Sequence, residues 1–324
     1  MSAAIEAYNI THRFGSITAL EDVSFAVDPG ELFGFIGPDG AGKTTLFRIA
    51  ATLIIPTGGN MTLLGLDTVK DYRALRNHIG YMPGRFSLYQ DLTVEENLNF
   101  YATIFGTTIK ENYRLIEPIY RQIEPFRKRL AGRLSGGMKQ KLALSCALIH
   151  KPRMLILDEP TTGVDAVSRT EFWEMLSGLR SEGITIIVST PYMDEALRCD
   201  RIALIQSGKI LGIDTPEKIR RSYSQSLYAV KHPEKYRLLL ALRSLPCIQA
   251  PSLEMPSGHF LNARPSHALN AEPFGDSVHV TLPPGTAPAD LTAALTAAGL
   301  PGTTVTEIVP GIEDVFLELM KREK

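Results

Sequence analysis

Only three cysteines occur in 324 residues, Cys146, Cys199 and Cys247, and they are far apart. That spacing builds neither a metal cluster nor a disulfide framework, so reduced thiols buried in a cytosolic protein are expected. Charge of one sign is also lacking: 34 Lys and Arg meet 35 Asp and Glu, a formal net charge of -1. A chain so balanced has no global pull toward nucleic acid or anionic lipid, and no nucleic-acid partner is expected. No window holds ~18 or more apolar residues, so no segment is expected to span a bilayer. The start, MSAAIEAYNITHRF, lacks a basic stretch followed by an apolar one, so no signal peptide is expected. A role at a membrane would then come through a partner.

What is present is ample apolar material, 44% of residues, and a chain long enough for one large domain plus a smaller one. Up to about residue 224, short apolar runs alternate with helical patterns. Glu31–Ile36 (ELFGFI), Met154–Leu157 (MLIL) and Ile184–Ser189 (ITIIVS) read as buried strands, and a helix is expected from Lys43. Such alternation implies an α/β fold with a mostly parallel sheet. Between about residues 88 and 150 the pattern turns helical, as in LTVEENLNFYATIF, which predicts a helical subdomain. From about residue 225 to 324 the pattern predicts a small α+β domain, with a loop near 250–275 where no period is visible. Its final helix, IEDVFLELM, aligns Ile312, Val315, Phe316 and Leu319 on one face.

Two motifs carry chemistry. Residues 37–44 (GPDGAGKT) fit G-x-x-x-x-G-K-[ST] between an expected strand and helix. Glycines let a backbone wrap closely enough to aim successive N–H groups at phosphate oxygens, and the helix N-terminus adds its positive dipole end. Lys43 would reach the outer phosphates, and the Thr44 hydroxyl would ligate Mg²⁺. The second motif is the apolar strand ending in Asp158 and Glu159. There Asp158 would hold Mg²⁺ through water, and Glu159 would act as general base toward an attacking water. Together these predict a P-loop NTPase core that binds ATP with Mg²⁺.

The peptide Leu134-Ser135-Gly136-Gly137-Met138-Lys139-Gln140, lying between the two motifs, resembles the signature of ABC ATPases. The likeness runs over roughly residues 3–220. Phrases such as FSLYQDLTVEENL and MDEALRCDRIAL, and the tail EDVFLELM, are most similar to the ATPase subunits of ABC-2 type multidrug exporters. By position, the resemblance implies that Phe14 stacks on adenine. It implies that Gly37, Pro38, Asp39, Gly40, Ala41, Gly42, Lys43, Thr44 and Thr45 bind phosphate and metal. Ser135, Gly136 and Gly137 would touch the γ-phosphate of ATP on the opposite subunit, and Asp165 would lie in the loop that crosses the dimer interface. Members of the family work as head-to-tail dimers that clamp a membrane permease, so this chain is expected at the cytoplasmic face of the membrane, bound through that permease.

Two positions depart from the family pattern. Gly84 stands where the family has a glutamine, and Pro191 where it has a histidine that holds the γ-phosphate and the attacking water. Glycine has no side chain, and proline offers neither a polar side-chain atom nor an N–H. None of the seven histidines neighbours Pro191 in sequence, and His150 is expected to be structural. Tight ATP binding with slow hydrolysis is therefore expected. Because each site in such dimers is shared, the intact Ser135-Gly136-Gly137 would serve a second, catalytically competent ATPase, so a heterodimer is expected ahead of a homodimer. Arg85, Phe86, Leu88 and Tyr89 are expected to expose a permease-docking surface.

Overall fold

The computed structural model describes residues 2–223, 225–245, 270–282 and 287–322. Their contacts divide the chain into two compact units. One runs to Ile219 and includes the end of the chain from Phe316; the other is Arg220–Val315. No described helix is long and apolar enough to cross a membrane.

The first unit is built on a six-stranded sheet. Its order is Lys209–Asp214, Arg201–Gln206, Leu32–Ile36, Thr185–Thr190, Met154–Asp158 and Ile79–Met82. All neighbours are parallel except the first pair. Leu32–Ile36, Met154–Asp158 and Thr185–Thr190 are buried at every position, which is why they read as unbroken apolar runs. Each lies within a residue of its expected bounds. Ligand sites of parallel sheets form at the carboxyl ends of the strands, and here those ends carry Ile36, Asp158 and Thr190 side by side.

A mostly parallel sheet does not describe the whole unit. A separate antiparallel sheet has the order Ile17–Val27, Ile5–Phe14, Gly58–Leu63, Leu66–Asp67. Its first strands alternate buried and exposed residues, as strands with one wet face do. Between the two sheets' residues an aromatic cluster fills the core: Phe35 meets Phe25 at 4.9 Å, Phe33 at 5.1 Å and Phe47 at 5.5 Å between ring centres.

The helical stretch contains Val94–Ile104, Ile109–Tyr120 and Gly136–Leu148. The first two open with reciprocal capping boxes, Thr93 with Glu96 and Thr108 with Glu111, which fix where each begins. Replacing Thr93 with alanine removes one such cap, and a urea melt is expected to show a loss of about 1 kcal/mol.

In the second unit, Asn270–Phe274, Ser277–Thr281, Leu227–Lys231 and Thr304–Ile308 form an antiparallel sheet in that order. Helices Lys235–Ser244 and Pro288–Ala297 contribute Leu238, Leu242, Leu291 and Leu295 to a core with Val230, Val278 and Val280. The loop expected over 250–275 is corrected at its end, because Asn270–Phe274 is a strand paired with Ser277–Thr281. Pro273 reads as a breaker in sequence, but it lies on an edge strand, where proline is tolerated. Residues 250–269 of that stretch, and Cys247, lie outside the described residues. Cys146 and Cys199 are buried and free, and burial pushes both thiols well up.

Candidate nucleotide-binding site

The strand Leu32–Ile36 leads straight into the glycine loop and the helix Lys43–Ala50. Two glycines there have steric reasons. A Cβ on Gly37 would lie 2.1 Å from the Ile205 carbonyl, and Gly42, at φ +103°, would place one 2.6 Å from the Ala19 carbonyl. The helix has no side-chain cap and no acid in its first turn, so its leading N–H groups face no competing anion from that turn.

Lys43 is almost fully buried, and its ammonium spends three donors inside the site. It bonds the Gly37 carbonyl at 2.8 Å, the Pro38 carbonyl at 2.9 Å and Glu159 Oε1 at 3.1 Å. An incoming phosphate therefore competes with Glu159 for the ammonium. The Thr44 hydroxyl donates to Asp158 Oδ1 at 3.2 Å, and Asp158 is buried. A hydroxyl and a carboxylate side by side are the hard oxygen donors that Mg²⁺ takes up together with substrate phosphates. The loop, the ammonium and this oxygen pair thus fit a Mg²⁺–nucleotide. Glu159 itself has φ +47°, uncommon outside glycine and concentrated at functional sites. Nearby, burial and then the Asp158 carboxylate push the Tyr81 phenol up to about 12, so it stays protonated.

Gly84 borders this cluster. A Cβ there would meet the Asp158 carbonyl at 3.1 Å and Glu159 Cβ at 3.7 Å, so a side chain at 84 would start beside both carboxylate residues. Pro191 directly follows Thr190, whose carbonyl accepts the Gly37 N–H at 3.3 Å. Gly84 and Pro191 therefore both lie at the site's edge.

A second cluster holds the signature residues. Ser135 caps the helix Gly136–Leu148 by accepting the Met138 N–H at 3.3 Å. A Cβ on Gly136 would meet the Gly163 carbonyl at 3.1 Å, and one on Gly137 would meet Ser168 Oγ at 2.7 Å. Asp165 caps the next helix, Ala166–Ser181, through the Ser168 N–H at 3.0 Å, which holds its carboxyl below the usual range. Ser135, Gly136, Gly137 and the Asp165 loop are thus brought together. Among the described residues no hydrogen bond or ion pair joins them to Lys43, Thr44 or Asp158. Phe14 lies at the end of Ile5–Phe14, half exposed and edge-on to His12 at 4.5 Å.

Residues that sequence reasoning missed lie at the end of the strand Thr185–Thr190 and in the turn that follows it. Ser189, fully buried, bonds Asp158 and Glu159. Buried Glu195 accepts from Thr161, Thr190 and Arg169 and ties three segments together. The signal for Ser189 is the parallel pairing that sets it level with Asp158, which spacing along the chain does not reveal.

The expected docking residues are corrected in one respect. Tyr89 and Arg85 are exposed, but Leu88 is buried; it lines a groove of about 310 Å³ with Leu53, Met82, Tyr101 and Phe105. His150 is held at that groove, donating from Nε2 to the Ile79 carbonyl at 2.9 Å and stacking on Phe105. Burial lowers its pKa, so the ring stays neutral.

Comparison with known proteins places this geometry. The family model for "ABC transporter" matches residues 20–162. The probable multidrug ABC transporter ATP-binding protein YbhF of Escherichia coli is 37% identical over 98% of this chain. This chain spans about half of that relative, 52% of its length. Nod factor export ATP-binding protein I of Burkholderia lata is 37% identical, covering 68% of this chain and 73% of the relative. Among solved structures, an ATP-binding subunit of an ABC transporter superposes with a TM-score of 0.62 at 29% identity, over 68% of this chain and 93% of that one. A dimeric, post-hydrolysis ATP-binding cassette bound to ADP and Pi gives 0.59 at 26% identity, over 65% and 98%. With a P-loop, an Asp-Glu strand end and a signature helix arranged as described, the chain belongs to the ATP-binding proteins of the ABC transporter family.

Proposed function

We propose that this chain is the ATP-binding subunit of an ABC-2 type membrane exporter, binding ATP tightly and hydrolysing it slowly at its own site. One contrast carries the reading: Lys43, Thr44, Asp158 and Glu159 are joined by contacts of 3.1–3.2 Å, while Gly84 and Pro191 beside them offer no polar side chain. The names of the relatives, multidrug transport in one and Nod factor export in the other, support export.

In this reading Gly37, Pro38, Asp39, Gly40, Ala41, Gly42, Lys43, Thr44 and Thr45 enclose the phosphates and Phe14 stacks on the adenine. Thr44 and Asp158 hold Mg²⁺, which when bound neutralises charge on phosphate oxygens. Glu159 orients and deprotonates the attacking water. Ser135, Gly136, Gly137 and Asp165 act across a head-to-tail dimer, on ATP held by a second, catalytically intact ATPase. The expected division into 1–224 and 225–324 is redrawn on the compact units: the one running to Ile219, with the chain end from Phe316, is the ATP-binding domain, and Arg220–Val315 is the accessory domain. The groove lined by Leu88, together with the exposed Arg85 and Tyr89 in the same loop, receives the permease, which holds the chain at the cytoplasmic face of the membrane. A second reading, a module that binds ATP and never turns it over, draws on the same two positions.

Purifying the chain with its native partners tests the pairing. The proposal expects a permease and a different ATPase in the complex. A complex with this chain as its sole ATPase and brisk MgATP turnover would contradict it.

A further inference from the structure

We propose that Ser189 is a positioning residue for the metal-binding end of the site, setting the Asp158 carboxylate and the Glu159 corner together. The inference rests on the reading of Asp158 as a residue that holds Mg²⁺. Ser189 is completely buried, and the parallel strands place it level with Asp158. Its oxygen lies 2.7 Å from Asp158 Oδ1 and 2.9 Å from Glu159 N. The direction of both bonds follows from chemistry. A backbone N–H only donates, so the hydroxyl accepts from Glu159 and spends its single proton on the carboxylate.

Thr44 donates to the same oxygen, Oδ1, at 3.2 Å. Two hydroxyls on one oxygen pin the carboxylate there, and among the described residues Asp158 Oδ2 carries no hydrogen bond. Ser189 thereby does for a metal-binding carboxylate what outer partners of metal ligands generally do, fixing orientation from behind. The same hydroxyl reaches the backbone of Glu159, at the residue whose positive φ turns the chain. One side chain thus links the metal-binding acid to the base.

Alanine at 189 deletes the donor to Asp158 but keeps the second bond to Glu159 N, which comes from the Ser189 backbone carbonyl at 3.1 Å. The defect should therefore fall on the carboxylate. A serine that merely packed the strand end would alter stability and leave the Mg²⁺ dependence of ATP binding alone. That dependence is the discriminating readout, and it needs no hydrolysis.

The experiment measures ATP affinity of the full chain in Mg²⁺ and in EDTA, for the natural protein, Ser189→Ala, Ser189→Cys and Asp158→Asn, each checked for folding by thermal melt. Ser189→Ala is expected to lose about 10–100-fold of the Mg²⁺-dependent gain in affinity, with its EDTA affinity unchanged. Ser189→Cys, with a weak donor of similar size, is expected to fall between. If Asp158→Asn loses the gain and both Ser189 variants keep it, the inference is overturned and the reading of Asp158 stands. If Asp158→Asn also keeps it, the reading of Asp158 fails and takes the inference with it.

Discussion

Replacing Gly84 with glutamine and Pro191 with histidine together is expected to raise steady-state MgATP turnover about 10²–10³-fold. Hydrolysis of a phosphoanhydride asks little covalent chemistry of a protein and much positioning, so each lost contact to the water or the transferring phosphoryl group is costly. The proposed base is in place: Glu159 is in contact with Lys43. What is missing is polar reach from two directions. At 84, the backbone lies so near the Asp158 carbonyl that a new Cβ begins 3.1 Å away, a contact requiring a small shift but aimed beside both acids. Its φ is not in the left-handed region, so glutamine is compatible with the backbone. At 191, histidine restores both a ring and an N–H next to Thr190, whose carbonyl already holds Gly37. Steady-state turnover at saturating MgATP, with affinity measured separately, checks the gain. Each single variant is expected to gain less than the pair, since the two groups act on the same water and phosphate.

Replacing Lys43 with alanine is expected to cost ATP affinity more than about 100-fold, roughly 3 kcal/mol. The ammonium is nearly inaccessible to solvent and is held by two loop carbonyls and Glu159. Its removal subtracts a charge-assisted donor to phosphate and also leaves the Glu159 carboxylate facing that phosphate without a counter-ion. Equilibrium binding of MgATP measures the loss. An arginine in its place is not a conservative test, because the planar fork cannot satisfy the same three convergent acceptors.

Much of the site was legible because its chemistry is local. A phosphate loop is a run of backbone, so GPDGAGKT between a buried strand and a helix locates it, and Asp158-Glu159 marks the end of the next site strand. The helical character of LTVEENLNFYATIF was legible from its pattern, and the Thr93–Glu96 box then fixes where that helix starts. Contacts set by register were not. Ser189 reaches Asp158 only once two parallel strands are paired in a particular alignment. Leu88 falls in a loop of mixed aromatic and basic residues, and the groove it lines is shared with Tyr101, Ala143 and Cys146 of helices distant in sequence. The strand Asn270–Phe274 hid behind Pro273, which breaks a central strand but not an edge.

The central claim, a site that binds ATP and turns it over slowly, is tested most directly by the natural chain itself. MgATP turnover is measured at saturation beside a Glu159→Gln control, with equilibrium binding of MgATP established for both. The account predicts saturable binding with turnover barely above that control. Brisk turnover far above it would mean that other groups position the water, and would contradict the account.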